Sequence, residues 1–480
     1  MEKFFRNMKL EDFHLIRTPK DLHFDVLFHA TTLTLMRIKK DLTLILEDFL
    51  NKRCDYESFP IHAKKSLEKI FEIILQKETP EFTHYNKITI LLNVSHACNL
   101  RCKYCYANFG TYNSPGLMDE ETAIKTIDVL SKIRPISGIT FFGGEPTLNL
   151  KTIERVCKHI TNLFESGEIE EMPFLGMVTN GTCSSLEFLN LIKKYNIFVT
   201  ISVDGPQSIN DLLRVYPDGR GTYREIKNTF ERIKETMGYT PDIEVTYTQL
   251  HKEKGWDLEK LISFLEKEFS FNFLRGVIAD VALPEGHPLA LKSPDSDSIF
   301  FERAIKIMDD LSDGKSVRGN LSFLEGLIPL ITKKPYMYMC PIGVTTFAVS
   351  ANGNVYPCQL FIGDDKFCLG NVHSQNFMGT KKYNRVINLI EKYVNKQNNP
   401  KCSKCWAKAL CKSCPGSMYK KSGNFADIPL DGYCKYRKKM IETTLVEIAK
   451  IQAMPDRWIK FVRNLKDTIK KADRSERMVI

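Results

Sequence analysis

From Lys87 onward the chain alternates short apolar runs with segments whose apolar residues recur three and four apart. Lys87–Ser95, Gly138–Gly143, Met172–Asn180, Phe198–Asp204, Asp242–Gln249 and Asn272–Ala279 read as strands. Asp119–Ile133, Leu150–Phe164, Ser185–Tyr195, Thr222–Met237 and Asp257–Glu268 read as helices, the first with Ile124, Ile127, Leu130 and Ile133 on one stripe. Repeated strand–helix units mean a parallel sheet with helices packed outside it, an α/β fold. Six such units suit a partial (β/α)6 barrel, with a doubly wound open sheet as the rival. Either places the chemistry at the C-terminal ends of the strands.

Two regions fall outside this pattern. Residues 1–83 mix strand-like pieces (Phe13–Arg17, His23–His29) with helical ones (Asp41–Asn51, His62–Gln76) and read as a small α+β domain. The barrel region spans 84–334 and includes a loop at Leu283–Ser298. Residues 335–440 lose the alternation and gain cysteine and glycine; 441–480 hold a last helix, about Glu442–Ala453, and a basic tail. No internal repeat of the solenoid or propeller kind is present.

Composition narrows the class. A chain of 480 residues, 43% hydrophobic and 26% charged, suits an ordinary globular protein of several domains. The formal charge of +10 suits nucleic acid, an anionic membrane or an acidic peptide alike. No apolar run is long enough to span a bilayer, and Met1–Leu10 lacks the apolar segment of a signal peptide. The basic tail Arg463–Arg477 lacks interleaved aromatics and reads as a solvated amphipathic helix. The expectation is a cytoplasmic protein with neither membrane nor nucleic acid as partner. Fourteen cysteines in tight local clusters then point to metal rather than disulfides.

Directly after the first barrel strand comes Cys98-x3-Cys102-x2-Cys105. Three thiolates so spaced can bind three irons of one 4Fe–4S cube and leave the fourth open, as a catalyst requires. A zinc knuckle lacking a ligand is the plain alternative. In this position the motif resembles the radical SAM superfamily. The resemblance implies that the open iron chelates the amino and carboxylate groups of S-adenosyl-L-methionine (SAM), and that an electron from the cluster releases a 5′-deoxyadenosyl radical. It implies contacts to SAM from Tyr104, which precedes the third cysteine; from Gly143, Gly144, Glu145 and Pro146 at the second strand end; from Thr179 and Asn180 at the third; and from Ser202, Asp204 and Arg214 at and after the fourth. Tyr104 would meet the adenine and Glu145 the methionyl ammonium, while the glycines would admit a ligand close to the backbone. Asp204 and Asp280, both at strand ends, are the candidate bases, and His96 reads as a strand-end polar residue or a modulator of the cluster.

The C-terminal region runs Cys340, then Gly353-x4-Cys358, then Cys402-x2-Cys405-x5-Cys411-x2-Cys414, then Cys434. The pairs alone would suit a zinc ribbon. Their order resembles the SPASM extension of peptide-modifying radical SAM enzymes, with x2 in the last step where x3 is usual. The resemblance implies two auxiliary 4Fe–4S clusters, three clusters in all. Cys402, Cys405, Cys411 and Cys434 would hold the outer one, and Cys340, Cys358 and Cys414 the inner one. Cys368 is the nearby spare, read as a packed thiol ahead of a fourth ligand. Cys54, Cys157 and Cys183 read as ordinary thiols.

In size and place, residues 1–83 resemble the winged-helix-like domains with which maturases of ribosomally made peptides bind a leader by β-strand addition. The combined expectation is a maturase that forms cysteine sulfur-to-carbon thioether crosslinks, as in sactipeptides and ranthipeptides. Its partners would be a cysteine-containing precursor peptide with a leader, and an electron donor such as flavodoxin or ferredoxin. The alternatives are an anaerobic sulfatase maturase and a zinc-stabilised nucleic-acid-binding protein.

Overall fold

In a computed structural model of the chain, which describes residues 10–54, 56–82, 85–270, 277–280, 282–291, 299–315 and 326–473, three antiparallel strands come first. They are β1 (Phe13–Ile16), β2 (Phe24–His29) and β3 (Thr34–Lys39), in that order across the sheet. Helices α1 (Lys40–Leu50) and α2 (Ile61–Leu75) cover it, and Phe13, Leu27, Ile38, Leu46 and Phe71 form a core of their own. The sequence reading lacks β3, because Arg37 and Lys39 interrupt its apolar run; six residues of pairing with β2 make it a strand.

The parallel sheet that follows needs strands buried on both faces, and its first strand supplies one: Ile88, Ile90, Leu91, Leu92 and Val94 are all buried. This is β4 (Ile88–His96), with the short β5 (Gly116–Leu117) beside its end. Then come α3 (Glu120–Leu130), β6 (Ile136–Gly143), α4 (Leu150–Glu165), β7 (Phe174–Thr179), α5 (Leu186–Lys194) and β8 (Phe198–Ser202). They are followed by α6 (Gln207–Leu213), α7 (Tyr223–Met237), β9 (Asp242–Tyr247), α8 (Gln249–Glu253), α9 (Leu258–Glu268) and β10 (Val277–Asp280). The order β4-β6-β7-β8-β9-β10, all parallel, is the six-unit α/β arrangement that the alternation implies. Residues 272–276 of the last expected strand lie outside the described residues. Helix starts follow capping chemistry: the Asp119 carboxylate accepts from Thr122 N, Ser185 Oγ from Phe188 N, and the Asp257 carboxylate from Lys260 N.

The cysteine-rich region is joined to this sheet. After α10 (Ile299–Asp313) and α11 (Leu327–Thr332), β11 (Thr346–Val349) lies parallel to β4 with Phe347 opposite Ile90. β12 (Asn354–Tyr356) and β13 (Gly370–Asn371) continue it antiparallel, so the sheet runs β10-β9-β8-β7-β6-β4-β11-β12-β13. The sequence reading sees no strands here; runs of two to four residues carry too little periodicity to register. The remaining helices are α12 (Lys381–Tyr393), α13 (Pro415–Ser422), α14 (Asp431–Gln452) and α15 (Pro455–Asp473). α14 begins at Asp431, not near Glu442, and so carries Cys434 in its first turn. α15 packs on α10, where Arg457 meets Asp309 (3.1 Å) and Asn464 Nδ2 donates to Leu311 O (2.8 Å). The last residues of the basic tail, 474–480, lie outside the described residues. Among the described residues no helix is long and apolar enough to cross a membrane.

Because β11 extends the barrel sheet, truncating its buried Phe347 should weaken both regions at once. Phe347→Ala is expected to cost about 3–5 kcal/mol. Amide exchange in β4 should quicken with the loss; unchanged β4 exchange would show that the two regions are held independently.

Candidate active site at the strand ends and its cysteine groups

The first three cysteines sit on a loop seated by backbone-on-backbone packing. Gly144 N donates to Ser95 O (2.8 Å) and Glu145 N to Ala97 O (2.9 Å). A Cβ on Gly143, whose φ is +138°, would stand 2.2 Å from Ser95 O, and one on Gly144 2.3 Å from Ala97 O. What these glycines approach in this structure is thus the chain leading into Cys98. Glu145 is fully buried. Its carboxylate accepts from Thr179 Oγ1 (2.6 Å), Thr147 Oγ1 (2.7 Å) and Asn180 N (2.7 Å), tying the end of β6 to the end of β7. Burial raises its pKa against the pull of those bonds. Pro146 opens the turn that follows. Asn180 Nδ2 donates to Asn99 Oδ1 (2.8 Å) and reaches Cys98 Sγ (3.8 Å), so the third strand end braces the same loop.

A second buried group lies one strand farther on. Tyr104 OH donates to Asp204 Oδ2 (2.6 Å) and accepts from Arg214 Nη1 (2.6 Å), while Thr246 N donates to Asp204 Oδ1 (3.0 Å). Asp204 is fully buried with both oxygens engaged. Tyr104 packs among Ile209, Leu213 and Leu283, and burial raises its pKa well above the ordinary value. Arg214 is buried too, its Nε has no partner, and its charge is felt by Cys102 and Cys98. Ser202 ends β8 opposite Glu244. Asp280 ends β10, and its side chain lies outside the described residues. Sequence reasoning missed Glu244, whose pKa burial raises and which lies within reach of Arg214 and Asp204; the period-2 alternation of β9 is the signal that marks it. It also missed His251, which caps α8 with Thr248 and donates from Nε2 to Asp204 O (2.7 Å).

The cysteines gather as three groups. Cys98 is neighboured by Cys102, and Cys102 by Cys105. Burial and then the Glu145 carboxylate push Cys98 up to about 12; burial pushes Cys102 up to about 11. Cys402 lies among Cys411, Cys405 and Cys434, and Cys358 beside Cys414 and Cys340. Cys414 caps α13, its Sγ accepting from Ser417 N (3.4 Å), and Cys434 lies in the first turn of α14. Cys368 turns elsewhere, to Gly370 O (3.5 Å) and Tyr356. Cys157 is buried in the barrel core, and Cys183 Sγ lies 3.6 Å from Ser185 Oγ.

These sets can be tested against the groups they would hold. Among the described residues no three His, Cys, Asp or Glu side chains close around a single ion, the geometry that zinc needs. A cube asks for thiols set farther apart, one to each iron. The buried Arg214 with its orphan Nε beside Cys102 suits a ligand bearing a carboxylate. His96 donates from Nδ1 to Ser114 O (2.9 Å) and accepts from Ala351 N (3.3 Å), pinning the loop after the third cysteine to the C-terminal region. Lys396, fully enclosed beside Cys402, Cys405 and Cys411, donates to Cys411 O (2.7 Å); burial pulls its pKa down to about 8.

The Tyr104 hydroxyl is the partner that Asp204 and Arg214 share. Tyr104→Phe should therefore lower stability by about 1.5–3 kcal/mol, the range for hydrogen bonds to charged groups. A thermal midpoint unchanged in the cluster-loaded variant would show that the hydroxyl carries nothing.

Residues 92–265 match the Radical SAM superfamily, and residues 340–406 match SPASM, an iron-sulfur cluster-binding domain. The chain is similar to the cysteine-type anaerobic sulfatase-maturating enzyme of Clostridium novyi (strain NT), 25% identical over 367 residues that cover 74% of this chain and 94% of the relative. The radical SAM cyclopropyl synthase TigE of Paramaledivibacter caminithermalis is 31% identical over 204 residues, 39% of each chain. The structure of native anSMEcpe with bound AdoMet shares the fold, with a TM-score of 0.61 over 75% of this chain and 99% of its own, at 23% identity. The two matched domains imply SAM binding and iron–sulfur clusters. The chain thus carries a radical SAM domain followed by a C-terminal SPASM domain, the make-up of a radical SAM enzyme.

Proposed function

We propose that this enzyme is a peptide maturase, using SAM and three 4Fe–4S clusters to form cysteine sulfur-to-carbon thioether crosslinks in a ribosomally made precursor. The observation that carries the reading is the folded domain that precedes the superfamily match. The C. novyi sulfatase-maturating enzyme is matched over 94% of its length by 74% of this chain, and the superfamily match begins only at residue 92. Ahead of it stands the β1–β3 sheet, whose outer strands β1 and β3 pair, among the described residues, only with β2. Such an edge can take up a leader as an added strand, and a chain of net charge +10 favours an acidic one. The domain is fixed to the cysteine-rich region: the His14 ring stacks on Trp406 (centroids 3.6 Å apart, planes 3° apart), His14 Nε2 meets Glu442 (2.8 Å), and Asp12 meets Lys408 (3.6 Å). A structure of the same fold, native anSMEcpe with bound AdoMet and Cp18Cys peptide, supports a peptide substrate.

Together SAM and a reduced cluster supply a 5′-deoxyadenosyl radical, able to take hydrogen from an unactivated peptide carbon. The chain's own residues hold and orient. Cys98, Cys102 and Cys105 would hold the first cluster, Cys340, Cys358 and Cys414 the inner one, and Cys402, Cys405, Cys411 and Cys434 the outer one. Arg214 would offer its free Nε to the SAM carboxylate, with Ser202 and Asn180 at the ends of β8 and β7. Asp204 orients Arg214 through Tyr104, and because both its oxygens are engaged it acts as a positioning residue rather than a base. Glu145 holds the cysteine loop to β7.

Anaerobically reconstituted protein should carry about twelve irons, four per cube. Changing Cys98, Cys102 and Cys105 together to Ala should abolish cleavage of SAM to 5′-deoxyadenosine and leave about two-thirds of the iron; cleavage that persists sinks the assignment. Added leader peptide should slow amide exchange along β1 or β3. Mass spectrometry of treated precursor should show a pair of hydrogens lost per crosslink and the cysteine no longer alkylatable. The relatives named as sulfatase-maturating enzymes favour a second reading, oxidation of a cysteine to an aldehyde; loss of the sulfur with a new hydrazide-reactive carbonyl would decide for it.

A further inference from the structure

We propose that the face around Cys402, Cys405, Cys411 and Cys434 is the docking site of a small acidic one-electron carrier protein, of the flavodoxin or ferredoxin kind. The electron needed at the first cysteine group enters there. The proposal rests on the reading of these four cysteines as the ligands of a cluster.

Charge is the first observation. Between residues 401 and 414 and between 431 and 439 the chain holds eight Lys or Arg and one acid, Asp431. That acid is paired with Lys401 (2.9 Å). Lys404, Lys412, Lys435 and Lys439 are exposed, and Lys438 and Lys401 lie close enough to Cys434 to be felt by its thiol. None of the four cysteines is buried. A redox centre near the surface inside a basic rim attracts an acidic partner at long range and orients it on arrival.

The second observation is what lies behind the rim. Cys414, three residues beyond Cys411, lies beside Cys358 in the inner group. Tyr106 stands beside Cys358 on one side and Cys105 on the other, with Tyr112 against it (ring centroids 6.2 Å apart). The join is tight: a Cβ on Gly363 of the C-terminal region would come 2.8 Å from Tyr112 O, and Ala351 N donates to His96 on the barrel side (3.3 Å). Packed protein therefore runs from the basic rim to the loop of Cys98, Cys102 and Cys105. In the transfer one electron leaves the reduced carrier, which is oxidised by one unit. The outer cluster is reduced by one unit and passes the electron inward, with no bond made or broken.

The test is stopped-flow electron transfer from flavodoxin hydroquinone to the cluster-loaded full chain. With wild type the second-order rate should fall about tenfold or more as salt screens the attraction. Reversing Lys404, Lys412 and Lys435 to Glu should lower the rate about tenfold or more at low salt and flatten the salt dependence, with iron content and precursor affinity kept. The same reversal at Lys125, Lys158 and Lys193, exposed on the barrel helices, should leave transfer as in wild type. Transfer by the rim variant at the wild-type rate, with its iron complete, overturns the proposal, as does a salt-independent rate in wild type. Lost precursor affinity with unchanged transfer assigns the rim to the peptide and overturns it too. If the reversal strips iron, the wild-type salt series decides. Wild type that loads the other two groups but leaves these four cysteines empty of iron overturns the cluster reading itself, a failure visible before any carrier is added.

Discussion

The approach of Gly143 and Gly144 to the Ser95–Ala97 backbone leaves no room for even a methyl group, and the catalytic end of the barrel is built around that contact. Cys98 follows at once, so any side chain at either glycine would push the first cysteine off its seat. Gly110 repeats the constraint from the other side, where a Cβ would stand 2.5 Å from Gly144 Cα and 2.8 Å from Cys98 Cβ. The loop between is wound tightly: Asn108, Phe109, Tyr112 and Asn113 all take positive φ, between 47° and 60°, a region that non-glycine residues occupy only when their surroundings compel it. What compels it is packing on both sides, against the strand ends and against the C-terminal region. That winding sets Tyr106 and Tyr112 between the first cysteines and Cys358.

The polar groups beneath this loop obey the same economy. Glu145, Asp204 and Arg214 are buried, and isolated charges there would cost several kcal/mol each. They are tolerated because each carboxylate oxygen finds a donor: Glu145 at the end of β7, and Asp204 from Thr246 on β9 and from Tyr104 on the cysteine loop. Of these three side chains, Arg214 keeps a buried Nε without a partner, beside Cys102 and Cys98.

The C-terminal region contributes more than cysteines. Through β11 it becomes part of the barrel's own sheet, and through Trp406 and Lys408 it holds the N-terminal domain. Three chemically different parts are thus fastened to one another. On the reading proposed above, a peptide held at the front of the chain, a radical made at the barrel mouth and electrons moving through the cysteine groups would act on one substrate only if those parts keep fixed positions.

The sequence alone determined the six-unit alternation, because strand and helix periods are local properties of side-chain order. It also determined the grouping of the cysteines, because ligand spacing along a loop survives without knowledge of the fold. It marked Gly143, Gly144, Glu145 and Asn180 as a set but could not show that they brace the cysteine loop, since their partners Ser95, Ala97 and Thr179 come together only when parallel strands align. Glu244 and His251 escaped for the same reason: a lone acid in a strand or a histidine in a short helix gains meaning only beside Asp204. β3, β11 and β12 were invisible because short strands owe their existence to the neighbour that pairs with them. Lys396 looked like any surface lysine, and only burial against Cys411 O made it otherwise. Local chemistry is written along the chain, whereas contacts between residues far apart in it arise from packing, and packing is decided only in three dimensions.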